Sequence, residues 1–167
     1  ELEHLLAAYC GTQHCVTVAS GSDALLIALL ALEIGPGDEV VVPSLSFIAT
    51  ANAPRYVGAT PVFAEVDLDT QNLTVETVEG VVTPAPRAVI VVHQGGMPAE
   101  MATIGPWCAQ RGIAVVEDAA CAIGSTIQGR PVGGGAHLAA FSFHPRKILT
   151  TGEGGMVVTD DAEVARR

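Results

Sequence analysis

The chain has 167 residues, 49% hydrophobic, 16% charged and 4% aromatic, which is enough apolar mass for one buried core and too few charges for a disordered segment. Its longest apolar run, Ala24 to Leu32, falls far short of the roughly 20 residues a membrane-spanning helix requires, so a soluble protein with no membrane partner is expected. The formal charge of −10, from 18 acids against 8 bases, repels polyanions and offers no basic stripe, so no nucleic-acid partner is expected.

Four cysteines, at positions 10, 15, 108 and 121, form neither a C-x-x-C pair nor a zinc-like spacing with the five histidines. They read as reduced thiols, no metal site is expected, and the expected compartment is the cytoplasm.

Short apolar runs bounded by Gly, Pro and Asp alternate with longer amphipathic stretches, the pattern of βα units around a mostly parallel sheet. Leu2 to Tyr9 reads as an opening helix, Cys15 to Ala19 as a strand, and Ser22 to Leu32 as a helix stopped by Gly35-Pro36-Gly37. Glu39 to Val42 is the next strand, followed by a helix over Ser46 to Val57 and a strand over Pro61 to Val66. A short helix at Val75 to Val82 precedes a strong strand at Ala88 to Val92. Met101 to Arg111 reads as helix and Ile113 to Val116 as strand; Ala139 to Phe143 and Gly155 to Thr159 add two more, after a turn at Gly133-Gly134-Gly135. The strand runs lack polar alternation, which predicts burial on both faces.

In open α/β sheets ligands sit beyond the carboxyl ends of strands, so the polar residues immediately after each apolar run carry the information. Ser20-Gly21-Ser22-Asp23 follows the first strand and opens a helix, where free N–H groups and the helix dipole face an anion; a plain N-cap is the alternative. Glu117-Asp118 follows a buried strand, where a carboxylate needs a cation or strong donors; a plain helix cap is the alternative. His93, after Ala88 to Val92, reads as a hydrogen-bonded structural residue more readily than as a catalyst.

The fourth place is Phe141-Ser142-Phe143-His144-Pro145-Arg146-Lys147, followed by Gly152-Glu153-Gly154-Gly155. Seven of the eight bases are arginine and Lys147 is the only lysine. Solubility is normally shared among many lysines, so a single one at a strand end beside a glycine-rich turn points to chemistry.

These segments, with Pro43-Ser44-Leu45-Ser46-Phe47-Ile48-Ala49-Thr50-Ala51-Asn52, Gly58-Ala59-Thr60-Pro61-Val62-Phe63 and Thr159-Asp160, resemble in order and spacing the DegT/DnrJ/EryC1/StrS family of pyridoxal-phosphate-dependent sugar aminotransferases. The resemblance implies a three-layer αβα fold of type I with a mostly parallel sheet. Residues 1–167 would form a single, partial cofactor-binding large domain, the small C-terminal domain lying outside them.

By the same resemblance, Lys147 forms the covalent linkage to pyridoxal 5'-phosphate and shuttles the substrate proton. Asp118 pairs with the pyridinium nitrogen. Gly21, Ser22 and Asp23 hold the phosphate from the helix start, Ser142 supplies a second hydroxyl to it, and Phe47 stacks on the ring. Cys121 stands where many members place Gln or His against the ring hydroxyl, and a thiol is a weaker donor. The segment His93-Gln94-Gly95-Gly96 also departs from the aromatic-glycine version common in the family.

The implied reaction is ping-pong transfer of an amino group from an amino acid, glutamate, to a nucleotide-linked keto sugar, in a homodimer. The alternative is a truncated, non-catalytic remnant or interaction protein that keeps the fold. A nicotinamide-binding domain is excluded, because the first strand is followed by Ser-Gly-Ser-Asp and not by G-x-G-x-x-G.

Overall fold

The computed structural model describes residues 1–83 and 86–167. Helix α1 (Leu2–Cys10) ends on Gly11, whose left-handed backbone (φ 71°) lets its N–H return to the last turn. Strand β1 (His14–Val18) leads into α2 (Gly21–Ala31), β2 (Glu39–Pro43), α3 (Ala49–Tyr56) and β3 (Thr60–Ala64). Then come α4 (Val75–Glu79), β4 (Pro86–Val92), a 3-10 turn at Gln94–Gly96, α5 (Met101–Ala109) and β5 (Ala114–Asp118). A small hairpin, β6 (Thr126–Ile127) and β7 (Arg130–Pro131), precedes β8 (Leu138–Ser142), β9 (Gly155–Thr159) and a closing 3-10 turn at Val164–Arg166.

Among the described residues, seven strands form one sheet in the order β1-β9-β8-β5-β4-β2-β3. Strands β8, β5, β4, β2 and β3 pair in parallel, and β9 runs antiparallel to both of its neighbours. Strand β1, antiparallel to β9, therefore points the same way as β8. Six strands thus deliver their carboxyl ends to one edge of the molecule.

The absence of alternation in the strands has the expected meaning. Every residue of β8 and β9 is buried, as are the last four of β5, whereas the edge strands β1 and β3 are half open. Successive residues of each strand serve opposite faces. Val40, Val42, Ile90, Val116 and Leu138 face α2 and α3, where Ala24, Leu25, Ala28 and Leu29 supply the helical stripe. On the other face, Val41, Val89, Val91 and Val115 meet Val78 of α4 and Ile104 and Cys108 of α5. Phe141, Met156 and Val158 meet Leu6, Ala7 and Cys10 of α1 on that same side. The result is the expected three-layer αβα arrangement. No helix among the described residues is long and apolar enough to cross a membrane.

Three expected helices are shorter than their patterns, α5 among them, which ends at Ala109 and not at Arg111. Helix α3 begins at Ala49, because Ser46 to Ile48 stay outside it. Helix α4 stops at Glu79 with Gly80 as its cap. The crossover helix α2 leaves β1 at one edge of the sheet and passes across β9, β8 and β5 on its way to β2, which brings its N-terminus beside the end of β8.

Candidate active site

At the common carboxyl edge of the sheet lies a pocket of about 380 Å³, within the range of small-molecule sites. Its wall begins with the start of α2. Ser20 has extended backbone and caps the helix: Oγ accepts the N–H of Asp23 at 3.1 Å and donates to Asp23 Oδ2 at 2.8 Å, while its carbonyl accepts the N–H of Ala24. The remaining first-turn N–H groups, those of Gly21 and Ser22, belong to residues that line the pocket. Asp23 is not brought to the pocket; its N–H and its carboxylate are both engaged with Ser20.

Two glycines make this approach possible. A Cβ on Gly21 would stand 2.6 Å from Cβ of Ser142, and a Cβ on Gly155 would stand 2.5 Å from the carbonyl of Ser20. The helix start therefore lies directly against the ends of β8 and β9, with the Ser142 hydroxyl in the same wall.

Asp118, the last residue of β5, is 6% exposed. Burial pushes its carboxyl up from the ordinary range, and hydrogen bonds from Thr50 and Ala120, then the charge of Lys147, pull part of the way back. Thr50 Oγ1 donates to Oδ2 at 2.8 Å, and the Ala120 N–H donates to Oδ1 at 3.2 Å. Ser46 shares a 2.7 Å hydrogen bond with Thr50. The sequence offers Ser46 and Thr50 only as members of a motif, with no role for either. A small hydroxyl following an aromatic by three residues is all that is visible there, and nothing local announces a partner 68 positions away.

Lys147 sits in a turn after β8, its N–H donating to the carbonyl of His144 at 2.9 Å. Its Nζ donates to Sγ of Cys121 at 3.0 Å, and both residues line the pocket with Asp118. Phe47 is 72% exposed at the same pocket, so it is not a core side chain. His144, Arg146 and Glu153 complete the rim, with His144 Nε2 3.8 Å from Glu153 Oε1.

His93 is buried in the pocket wall with both ring nitrogens engaged. Nδ1 accepts the N–H of Ala99 at 3.0 Å, so it carries no proton, and Nε2 therefore donates to Glu117 Oε2 at 2.9 Å. This is the structural arrangement expected of it. The pocket wall after it is tied down from outside: Asn72 Oδ1 accepts the N–H of Gln94 at 3.0 Å, its Nδ2 donates to the carbonyl of Met97 at 3.1 Å, and Ser125 donates to the carbonyl of Gly96 at 2.7 Å.

A helix start with free N–H groups, a buried carboxylate and a lysine thus meet around one pocket at the carboxyl ends of a parallel sheet. The chain belongs to the DegT/DnrJ/EryC1/StrS aminotransferase family, whose sequence profile matches residues 1–167. It is 50% identical to a UDP-N-acetyl-3-dehydro-alpha-D-glucosamine 3-aminotransferase of Acidithiobacillus ferrooxidans, covering 99% of this chain and 45% of that protein. It is 44% identical to a GDP-perosamine synthase of Caulobacter vibrioides, covering 100% of this chain and 45% of the relative.

Among solved structures it is similar to DesV of S. venezuelae in complex with a ketimine intermediate, with TM-score 0.96, 48% identity, and coverage of 99% of this chain and 45% of that one. NtdA of Bacillus subtilis with bound cofactor PMP gives TM-score 0.92 at 33% identity, with coverage of 98% and 37%. The fold is thus the one carried by these two proteins. The chain spans less than half the length of the curated relatives it matches.

Proposed function

We propose that this chain is the cofactor-binding large domain of a pyridoxal-phosphate-dependent aminotransferase that moves an amino group from glutamate to a nucleotide-linked keto sugar. The observation that carries the reading is the convergence of Lys147, Asp118, Ser142 and the start of α2 on one pocket. The donor set fits the cofactor. The first turn of α2 offers backbone N–H groups to a phosphate, and Gly21, where a Cβ would stand 2.6 Å from that of Ser142, lets this turn lie against the Ser142 hydroxyl.

When bound, pyridoxal phosphate supplies an electrophilic carbon and a ring that withdraws electrons from the substrate. The chain's residues supply the rest. Gly21, Ser22 and Ser142 anchor the phosphate. Asp118, held by Thr50 and Ala120, presents a buried negative charge that keeps a ring nitrogen protonated. Lys147 would hold the cofactor through its Nζ, and the same amine would carry the substrate proton. Phe47 would cover the ring face and Cys121 would border it, both lining the pocket.

The reading extends to a homodimer acting in the cytoplasm. Phe47 is exposed at the pocket and Ile148, next to Lys147, is 85% exposed, apolar surface of the kind a second subunit covers.

The test is a titration with pyridoxal phosphate followed by absorbance. The wild-type chain is expected to develop the band of lysine-bound cofactor and Lys147→Ala to lack it; a chain that develops no band overturns the reading. Adding glutamate to the loaded protein then tests the donor: the band is expected to be bleached as the cofactor takes up the amine. Binding without bleaching favours the non-catalytic alternative.

A further inference from the structure

The four cysteines, all free, divide three to one. Cys10, Cys15 and Cys108 are buried, and burial pushes their thiols up to about 11, about 12 and about 11; Cys121 is exposed. Its sulfur lies 3.0 Å from the amine of the only lysine in the sequence, at the pocket where that amine is to be used. An accessible thiol in contact with a primary amine is a reactive pair, and this one joins two residues that the mechanism treats separately.

Resting on the function proposed above, in which the amine of Lys147 must be free to meet the cofactor, we propose that Cys121 and Lys147 form a reversible oxidation site that a bound cofactor protects. Hydrogen peroxide is the class of oxidant. The Cys121 sulfur takes one peroxide oxygen as the O–O bond breaks, giving a sulfenic acid and one water. The neutral amine of Lys147 then attacks that sulfur: the N–S bond forms, the S–O bond breaks, and the hydroxyl leaves with an amine proton as a second water. Sulfur is oxidised by two electrons, peroxide is reduced by two, and the chain ends two hydrogens lighter. Two thiols of a reductant reverse the step by becoming a disulfide, which returns the Cys121 thiol and the Lys147 amine.

Geometry favours this over further oxidation. The flexible four-carbon stem of lysine can close the remaining gap to the sulfur. The three buried cysteines are shielded, so a sulfenic acid at Cys121 meets Lys147 before it meets another thiol.

The experiment treats reduced, cofactor-free protein with hydrogen peroxide at mildly alkaline pH and reads intact mass and a peptide map. The expected product is two hydrogens lighter, with the Cys121 peptide joined to the Lys147 peptide. It is expected to revert with dithiothreitol and to be absent from Cys121→Ser and Lys147→Arg. Protein saturated with pyridoxal phosphate is expected not to form it.

Oxygen added at Cys121 with no link, or a two-hydrogen loss that maps to two cysteines, overturns the proposal. So does a link that forms undiminished in protein showing the band of lysine-bound cofactor. A link in protein that never develops that band supports the pair and counts instead against the cofactor reading.

Discussion

Thr50 donates its hydroxyl hydrogen to Asp118 Oδ2 at 2.8 Å, across 68 positions of sequence. That hydroxyl has one hydrogen, so the 2.7 Å contact with Ser46 is one in which Ser46 donates and Thr50 accepts. The chain of two hydroxyls ends at a pocket-lining residue and aims the buried carboxylate from α3. It also lowers the cost of keeping that carboxylate ionised in a place where burial favours the neutral acid.

Thr50→Val keeps the shape and removes the donor. A hydrogen bond to a charged acceptor contributes about 1.5–3 kcal/mol, so the Kd for pyridoxal phosphate is expected to rise on the order of 10-fold or more as Asp118 loses ionised population. An equilibrium titration of both proteins by absorbance checks this. Equal affinities would mean that the threonine packs and does not tune the acid.

Asp118 also gives the cofactor-free protein a pH dependence of definite sign. Its carboxyl is raised in the folded state above the ordinary value of 3.8, so between those two values the folded chain holds more protons than the unfolded one. The stability this group contributes is fully present below the ordinary value and is lost as pH rises through the raised one. Asp118→Asn removes the titration, and the Ser46 and Thr50 hydroxyls can reverse so that Thr50 accepts from the new amide. Urea denaturation across pH is expected to show a wild-type-minus-variant difference that falls through that window and then levels. At neutral pH the free variant is expected to be at least as stable as wild type while binding the cofactor poorly. A flat difference would place the carboxyl at its ordinary value.

Much of the fold and site is legible in the sequence because it is local. The apolar strands, their lack of alternation, Ser20 as a helix opener and Lys147 as the single lysine among the bases all show within a few residues of one another. The sheet edges are less legible: β1 and β3 show the same β-branched residues as the centre, and only the strand order leaves them half exposed. The hairpin β6–β7 is two residues a side, too short for any period to register. Asp23 illustrates a competition that sequence cannot decide. Its N–H was expected to serve an anion, and the adjacent Ser20 hydroxyl takes it. Thr50, Ser46 and Asn72 act through contacts between distant segments, so nothing beside them in the chain announces their partners.

Gly21→Ala tests the close approach on which the phosphate cradle rests. The new Cβ would meet Cβ of Ser142 at 2.6 Å and its Cα at 3.2 Å, neither of them the end of a flexible side chain. The helix start must move off β8, and overpacking of this kind costs about 1–3 kcal/mol. Denaturation is expected to show that loss, and titration a larger one in cofactor affinity, because the displaced N–H groups would no longer converge on the phosphate of the proposed cofactor. Gly95→Ala is the control: it also lines the pocket and has φ 58°, yet its Cβ meets nothing within 4 Å, so a mild strain with little loss of affinity is expected.

Asn72 is a positioning residue for the wall that follows β4. It is 3% exposed, and its one side chain closes both ends of the Gln94–Gly96 turn, accepting from the N–H of Gln94 and donating to the carbonyl of Met97. Asn72→Ala strands both of these groups, and each unsatisfied buried group costs about 1–3 kcal/mol unless water reaches it. The turn is expected to loosen while the sheet beneath it, held by the His93–Glu117 bond and the backbone pairing of β4 with β5, stays closed. Hydrogen exchange separates the two: faster exchange confined to residues 94–97 in Asn72→Ala is the expected result, with protection in β4 unchanged. Asn72→Asp keeps the acceptor for Gln94 and loses the donor to the Met97 carbonyl, so it is expected to restore protection at the Gln94 N–H. Uniformly faster exchange across β4 and β5 in the alanine variant would make Asn72 a general stability residue and not a clamp on the pocket wall.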